Sequence, residues 1–133
     1  MATLAAIGIV TRDIAESCRF YRTLGLDVPE PPAGEDHFDL ELPSGLRLMW
    51  DTETLIKQLD PEWQRSQGHA LALAFECADA AEVNATYARL LEAGFGGKKE
   101  PYDAFWGQRY AQVEDPDGNV VDLFAQLESG ESG

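Results

Sequence analysis

The sequence predicts an α+β fold of two tandem βαβββ units, each a curved mixed sheet with a helix on its outer face. A helical segment, DIAESCRFYRTLG at residues 13–25, recurs as DAAEVNATYARLLEAG at residues 79–94. A hairpin segment, ELPSGLRLMW at residues 41–50, recurs as EDPDGNVVDLF at residues 114–124. Short strand-like runs surround each helix in the same order. Self-similarity of this kind indicates one supersecondary unit written twice.

Both helical segments carry start and stop signals. Asp13 and Asp79 each precede a Glu by three residues, which is the spacing of a capping box. Gly25 and Gly94 follow the last apolar residues, where glycine commonly ends a helix. Apolar side chains recur at the spacing of one helical face, at Ile14, Cys18, Tyr21 and Leu24 and again at Val83, Tyr87, Leu90 and Leu91.

Period-two alternation and turn residues locate the strands. In the first unit, residues 1–51, strands are expected at 4–10, 37–42 and 46–51, with an extra edge strand near Leu26–Val28. In the second unit, residues 69–126, they are expected at 70–77, 98–102, 108–114 and 119–126. Pro-Ser-Gly and Pro-Asp-Gly-Asn supply tight turns, because Gly and Asn tolerate positive φ. A polar connector, residues 52–68, is expected to carry a short helix ending near Pro61, and residues 127–133 to form a flexible tail.

Composition disfavours several functional classes. A net charge of −14, from 24 acidic and 10 basic residues, repels phosphate backbones, so we expect no nucleic-acid partner. No apolar run approaches the roughly 20 residues that a membrane span needs, so we expect no membrane association. The start of the chain lacks a basic signal-peptide region, and the expected location is therefore cytoplasmic. At 133 residues the chain is expected to form a single domain, residues 1–133, with Cys18 and Cys77 as buried thiols.

These motifs resemble the vicinal oxygen chelate superfamily. The resemblance rests on the two repeated units, on DPDGN before the last strand, and on a first-helix pattern formed by Asp13, Ser17, Phe20, Tyr21, Leu24 and Gly25. The superfamily includes glyoxalase I, extradiol dioxygenases, and fosfomycin and bleomycin resistance proteins. The resemblance covers nearly the whole chain and implies the fold, whereas one fold supports several unrelated chemistries.

The resemblance also implies where a catalytic metal would bind. In metal-dependent members, His and Glu side chains from the first and last strands of the units hold a divalent ion, which acts as a Lewis acid. The corresponding positions in this sequence are Ala6, Met49, Ala72 and Asp122. One carboxylate does not hold such an ion, since three or four protein ligands are the norm. His37 and His69 lie outside the pattern, so we expect no metal and no other cofactor.

Strand alternation indicates what a metal-free cleft would contain instead. Leu73 and Phe75, with Leu71, face a helix, which leaves small residues such as Gly8 and Ala74 on the opposite face. The residues predicted to bind a ligand there are His37, Asp39, Met49, Trp106, Tyr110, Gln112, Asp122 and Phe124. The alternative is that these polar residues form only the solvated face of an antiparallel sheet.

The resulting hypothesis is a metal-free small-molecule-binding protein, closest in character to the bleomycin-resistance-like branch. It would sequester a cationic or aromatic ligand such as an antibiotic, and it need not be an enzyme. A second hypothesis is a metal-dependent lyase, isomerase or dioxygenase whose non-standard ligands are His37, Asp39 and Asp122. A third is a metal-free enzyme in which Asp122 or Glu41 is the general base.

A homodimer is also expected. One chain closes only part of a cleft, and Trp63, Phe105 and Trp106 are aromatic residues that need cover, since contiguous apolar surface marks an interface. The segment Trp106-Gly107-Gln108-Arg109 corresponds to one that borders the ligand cleft in similar family members. Trp106 would therefore lie either at the pocket rim or in the dimer interface.

Overall fold

The structure is a computed structural model that describes residues 1–66 and 71–128. The elements in chain order are β1 (Ala6–Thr11), α1 (Ile14–Leu24), β2 (His37–Glu41), β3 (Arg47–Thr52), α2 (Glu53–Leu59), β4 (Leu73–Glu76), α3 (Ala80–Glu92), β5 (Gly96–Ala104), β6 (Gln108–Glu114) and β7 (Val120–Gln126). The end of the predicted connector, with His69, and the last five residues of the chain lie outside the described residues.

The strands form two mixed sheets of the same design. The first has the order β1-β3-β2 and the second the order β4-β7-β6-β5. In each sheet the first strand pairs in parallel with the last strand of its unit, β1 with β3 and β4 with β7. All other neighbours are antiparallel. The predicted α+β fold of two tandem strand-helix-strand units is confirmed.

The predicted edge strand near Leu26–Val28 is wrong. The Leu26 amide donates to the Tyr21 carbonyl at 3.0 Å, so this residue closes the end of α1 instead of pairing with a strand. The chain then continues through Pro29, Pro31 and Pro32, which have no amide hydrogen to offer a sheet. The first sheet therefore has three strands where the second has four.

Helices α1 and α3 begin where the sequence predicted. The side chain of Asp13 accepts from the Glu16 amide at 3.2 Å, and that of Asp79 accepts from the Glu82 amide at 2.8 Å. The returning half of the capping box is absent from both sites in the described chain. Glu16 pairs with Arg19 at 2.5 Å, and Glu82 accepts instead from the amide of Ala78.

The two helices share one core. α1 buries Phe20 and Tyr21, α3 buries Val83 and Leu90, and the inner faces of both sheets pack against the same cluster. The Phe20 ring meets the Phe95 ring edge to face at 5.1 Å. Leu71 was predicted to join this core, but it lies before β4 and is 92% exposed.

Arginines cap the helices reciprocally across this seam. Arg89 of α3 donates to the Thr23 carbonyl at 2.8 Å and to the Leu24 carbonyl at 3.3 Å, at the end of α1. Arg19 of α1 donates to the Ala93 carbonyl at 3.1 Å, at the end of α3. A guanidinium at a helix C-terminus satisfies free carbonyls and opposes the negative end of the helix dipole. These arginine–carbonyl hydrogen bonds connect the two units.

The two matching turns differ in two carboxylates, since Asp115 and Asp117 stand where the first turn has Leu42 and Ser44. Both turn on a glycine with positive φ, 92° at Gly45 and 85° at Gly118. In the second turn the buried Asp115 side chain accepts from the amides of Asp117 and Asn119, both at 2.9 Å, and from the Asn119 side chain at 2.8 Å. Asp115 Oδ2, the oxygen that binds the Asn119 side chain, also accepts from the Tyr21 hydroxyl at 2.8 Å. Asp115 therefore joins the second unit's turn to the first unit's helix.

The connector contains the predicted short helix, α2. Thr52 caps it by accepting from the Leu55 amide at 3.1 Å, and it ends before Asp60 and Pro61. Arg65 then pairs with Glu53 at 2.6 Å and donates to the Val10 carbonyl at 3.1 Å. Within the described ranges, the helices are too short or too polar to cross a membrane.

Replacing Tyr21 with Phe tests the contact between the units. The change removes the hydroxyl that donates to Asp115 and keeps the ring, so we expect the free energy of unfolding to fall by about 1.5–3 kcal/mol, the range for a hydrogen bond to a charged group. Urea titration monitored by circular dichroism measures it. The matched control is Tyr87→Phe on the half-buried side of α3, expected to change stability by about 0.5 kcal/mol or less. Equal effects of the two changes would contradict the assignment.

Candidate functional site

Each sheet has one face on the shared core and one open face. On β3, Leu48 and Trp50 are buried, while Arg47, Met49 and Asp51 alternate onto the other side. The cross-strand register places Gly8 and Asp39 on either side of Met49. A Cβ at Gly8 would meet nothing within 4 Å, so this face is not covered by the rest of the described chain.

The open face of the first sheet carries a ladder of ionised side chains. His37 lies between two carboxylates, with Nδ1 2.5 Å from Asp51 Oδ1 and Nε2 3.0 Å from Asp39 Oδ2. Arg47 pairs with Asp39 and, at 3.3 Å, with Glu41. Hydrogen bonds to Asp51 and then to Asp39 raise the pKa of His37, and the bonds from His37 and Arg47 lower the pKa of Asp39.

The open face of the second sheet carries a smaller polar cluster. The register places Ala74, Asp122 and Gln112 side by side on neighbouring strands. The Gln112 amide donates to Asp122 Oδ1 and to the Tyr110 hydroxyl, both at 3.0 Å. Burial and then a hydrogen bond to Asp122 raise the pKa of Tyr110 to about 12. Asp122 therefore has hydrogen-bond partners inside the protein.

Aromatic rings border this polar cluster. Tyr110 contacts Tyr102 with ring centres 5.9 Å apart and Trp106 with ring centres 5.4 Å apart. Phe105 is 97% exposed and Trp106 is 47% exposed, and the Trp106 indole is fixed by donating to Gln108 at 2.8 Å. Phe124 lies opposite Tyr110 on β7 and is half-buried. The aromatic surface formed by Tyr102, Phe105, Trp106 and Tyr110 thus lies beside a carboxylate.

The predicted ligand-binding residues fall into two groups. His37, Asp39 and Met49 share the first open face, whereas Trp106, Tyr110, Gln112, Asp122 and Phe124 belong to the second sheet and the turn beside it. Because the two helix-covered faces meet in one core, each open face lies on the far side of its sheet. We refer to these two open faces as the first and the second candidate half-site.

Two cavities of the described chain lie away from both half-sites. One of 440 Å³ lies between α1 and the turn before β7, where Arg19, Phe95 and Glu114 border it. The other, of 330 Å³, follows the seam between the helices beside Cys77 and Arg89. Neither of these two cavities is lined by a predicted ligand-binding residue.

The family metal positions do not supply a donor set. Met49 and Asp122 project from different open faces, and Ala6 and Ala72 have no donor atom. The alternative set also divides, because His37 and Asp39 are on the first sheet and Asp122 on the second. Across residues 1–66 and 71–128, no group of three or more His, Cys, Asp and Glu side chains is arranged to hold a metal ion. The residues present do not fit a divalent ion.

Sequence comparison identifies one family. The model of the Glyoxalase/Bleomycin resistance protein/Dioxygenase superfamily matches residues 3–123. No curated protein matches the chain significantly in sequence.

Solved structures show the same fold. A glyoxalase/bleomycin resistance protein/dioxygenase from Nocardioides is 27% identical, with a TM-score of 0.74, over 100% of this chain and 89% of that one. A glyoxalase/bleomycin resistance protein/dioxygenase family enzyme from Burkholderia phytofirmans PsJN is 20% identical, with a TM-score of 0.79, over 95% of this chain and 100% of that one. A glyoxalase-related enzyme from Fulvimarina pelagi is 21% identical, with a TM-score of 0.78, over 95% of this chain and 89% of that one.

The divided donor set predicts that the purified protein carries no stoichiometric metal. Elemental analysis after chelator-free purification is expected to give about 0.1 equivalents or less, and added Zn²⁺ or Mn²⁺ is expected to leave the unfolding temperature unchanged, since only bound ligands stabilise the native state. The matched variant is His37→Asn, which removes the imidazole of the alternative site. About one metal per chain that raises the unfolding temperature, and is lost in the variant, would establish the metal-dependent alternative.

Proposed function

Because this chain belongs to the glyoxalase/bleomycin resistance protein/dioxygenase superfamily, we propose that it is a metal-free member that binds and sequesters a cationic or aromatic small molecule, such as an antibiotic. Asp122 lies at a position that the family resemblance assigns to a metal ligand. The observation that carries this proposal is that Asp122 hydrogen-bonds to Tyr110, whose ring contacts the exposed Trp106.

The second half-site supports an aromatic or cationic ligand. An exposed indole and phenyl ring offer faces on which a planar ligand stacks, and ring faces attract cations. The protein itself shows this attraction, because Lys99 Nζ lies 4.9 Å from the centre of the Tyr102 ring. Asp122 adds a carboxylate that Gln112 holds in place.

The charge of the chain supports a cation over an anion. A net charge of −14 attracts cations at long range and raises their association rate, an effect that salt weakens. At short range, Asp39, Glu41 and Asp51 give the first half-site three carboxylates against one guanidinium and one imidazole.

The two half-sites support a homodimer in which each pocket uses both chains. β1 and β4 are outer strands of their sheets, so each has one edge without a partner strand in the described chain. Leu4, 75% exposed, and Leu71, 92% exposed, lie just before these edges. A second copy that covers both edges would bury these leucines and bring its second half-site towards the first half-site of its partner.

Replacing Asp122 with Asn tests the ligand chemistry. The probe is methylene blue, a planar dye with a permanent positive charge. Loss of the charge-assisted contact is expected to weaken binding roughly tenfold at low salt, with a smaller effect at high salt. Stability should fall by about 0.5–1.5 kcal/mol, because Asp122 accepts a hydrogen bond from Gln112.

The control for this experiment is Glu92→Gln at the exposed end of α3, which makes the same change in net charge away from either half-site. It is expected to retain wild-type affinity. An equal loss in both variants would show a general charge effect, and unchanged affinity in Asp122→Asn would show that Asp122 does not contact the ligand.

Light scattering tests the dimer. The wild type is expected at twice the mass of one chain at micromolar concentration, and the double change Leu4→Glu with Leu71→Glu is expected to give monomers, because charges on a buried interface are costly. The control is Leu59→Glu on α2, a leucine of similar exposure distant from both edges in sequence. A monomeric wild type would refute the proposed dimer.

A further inference from the structure

His37 is held by carboxylates on both sides of its ring. Asp51 on β3 faces Nδ1 at 2.5 Å, and Asp39, two residues along β2, faces Nε2 at 3.0 Å. A neutral imidazole has one N–H and one lone pair, so it can donate to only one of these carboxylates and sets its lone pair against the other. Only the imidazolium satisfies both contacts. The geometry therefore couples the proton on His37 to two carboxylates of the first half-site.

Among the groups around the Asp39 and Asp51 carboxylates, His37 is the one whose protonation changes the charge of this face. Arg47 on β3 holds Asp39 and Glu41 from the other end of the ladder. β1 adds only Ala6, Gly8 and Val10 to this face, which do not titrate. Asp36, just before β2, accepts from the Thr52 hydroxyl at 2.9 Å. The hydrogen bonds raise the pKa of His37 and lower the pKa of Asp39, so the contact favours the charged form of both groups.

We propose that His37 is a proton-linked gate on the cation site of the first half-site. With both ring nitrogens protonated, the imidazolium occupies Asp39 and Asp51 and competes with a cationic ligand. Loss of one proton leaves the half-site one charge more negative and frees one of these carboxylates for the ligand's cationic group. Ligand binding and protonation of His37 therefore oppose one another, and each weakens the other by the same factor. This inference rests on the proposed binding of a cation.

The test measures methylene blue affinity between pH 5.5 and 8.5 at fixed low salt, since the dye's own charge does not change over this range. Wild type is expected to bind about tenfold more tightly at pH 8.5 than at pH 5.5, the effect of one charge-assisted contact. His37→Asn, which keeps a polar side chain but does not titrate, is expected to vary about twofold or less. His37→Gln is a second variant should the first fail to fold. His69→Asn changes the only other histidine and is expected to follow the wild type.

Proton magnetic resonance of the His37 ring adds a readout that a merely structural role would not move. Saturating dye is expected to shift the His37 titration midpoint to lower pH. Identical pH profiles in wild type and both His37 variants would overturn the gate and leave the proposed function standing. Absence of dye binding by the wild type at every pH would overturn the proposed function and, with it, the gate.

Discussion

The hydrogen bond from the Tyr21 hydroxyl to Asp115 fixes how the two halves of the molecule are joined. It is buried, and it links residues 94 positions apart in the chain. Asp115 accepts four hydrogen bonds in all, so one carboxylate both shapes the turn before β7 and holds α1 of the other unit. A buried carboxylate is costly unless such partners satisfy it. Burial raises the pKa of the Tyr21 hydroxyl, with the Asp115 charge adding to it, so the phenol remains a donor.

The contact between α1 and the second unit's turn determines which faces of the two sheets remain open. Because α1 contacts α3 and the second unit's turn, the helix-covered faces of both sheets are buried in one core. Arg19 and Arg89 reinforce the arrangement by capping each other's helices. The polar faces of both sheets are left outside it. A molecule built in this way has two separate open sheet faces, one in each unit.

The two half-sites differ in chemistry although their backbones repeat. On the first, the charges satisfy one another along a ladder from Asp51 through His37 and Asp39 to Arg47. On the second, the Asp122 carboxylate is bound by neutral groups, Gln112 and Tyr110, and aromatic rings lie beside them. The first open face therefore carries titratable and charged groups, whereas the second offers flat apolar area. The ligand class that we propose, a planar cation, would use both.

Local patterns in the sequence determined the helices, strands and turns. The Asp13 and Asp79 caps, the glycine turns and the period-two alternation of β3 and β7 depend on residues a few positions apart, so they can be predicted from short stretches. The same alternation places the buried Trp50 and the outward-facing Met49 on opposite faces of β3. The prediction of an edge strand at Leu26–Val28 was wrong because the Leu26 amide hydrogen-bonds to the end of α1 and prolines follow Val28 directly.

Only the tertiary structure decided which of these residues meet. Asp115 looks like a turn residue and Tyr21 like an apolar position of a helix, and nothing in either pattern indicates that they bond. The partners of Asp122 and the clamp on His37 likewise depend on register between strands that are distant in sequence. The division of eight predicted ligand residues into two half-sites follows from the way the helices pack. Side-chain partnerships of this kind arise from long-range packing, which short-range periodicity does not encode.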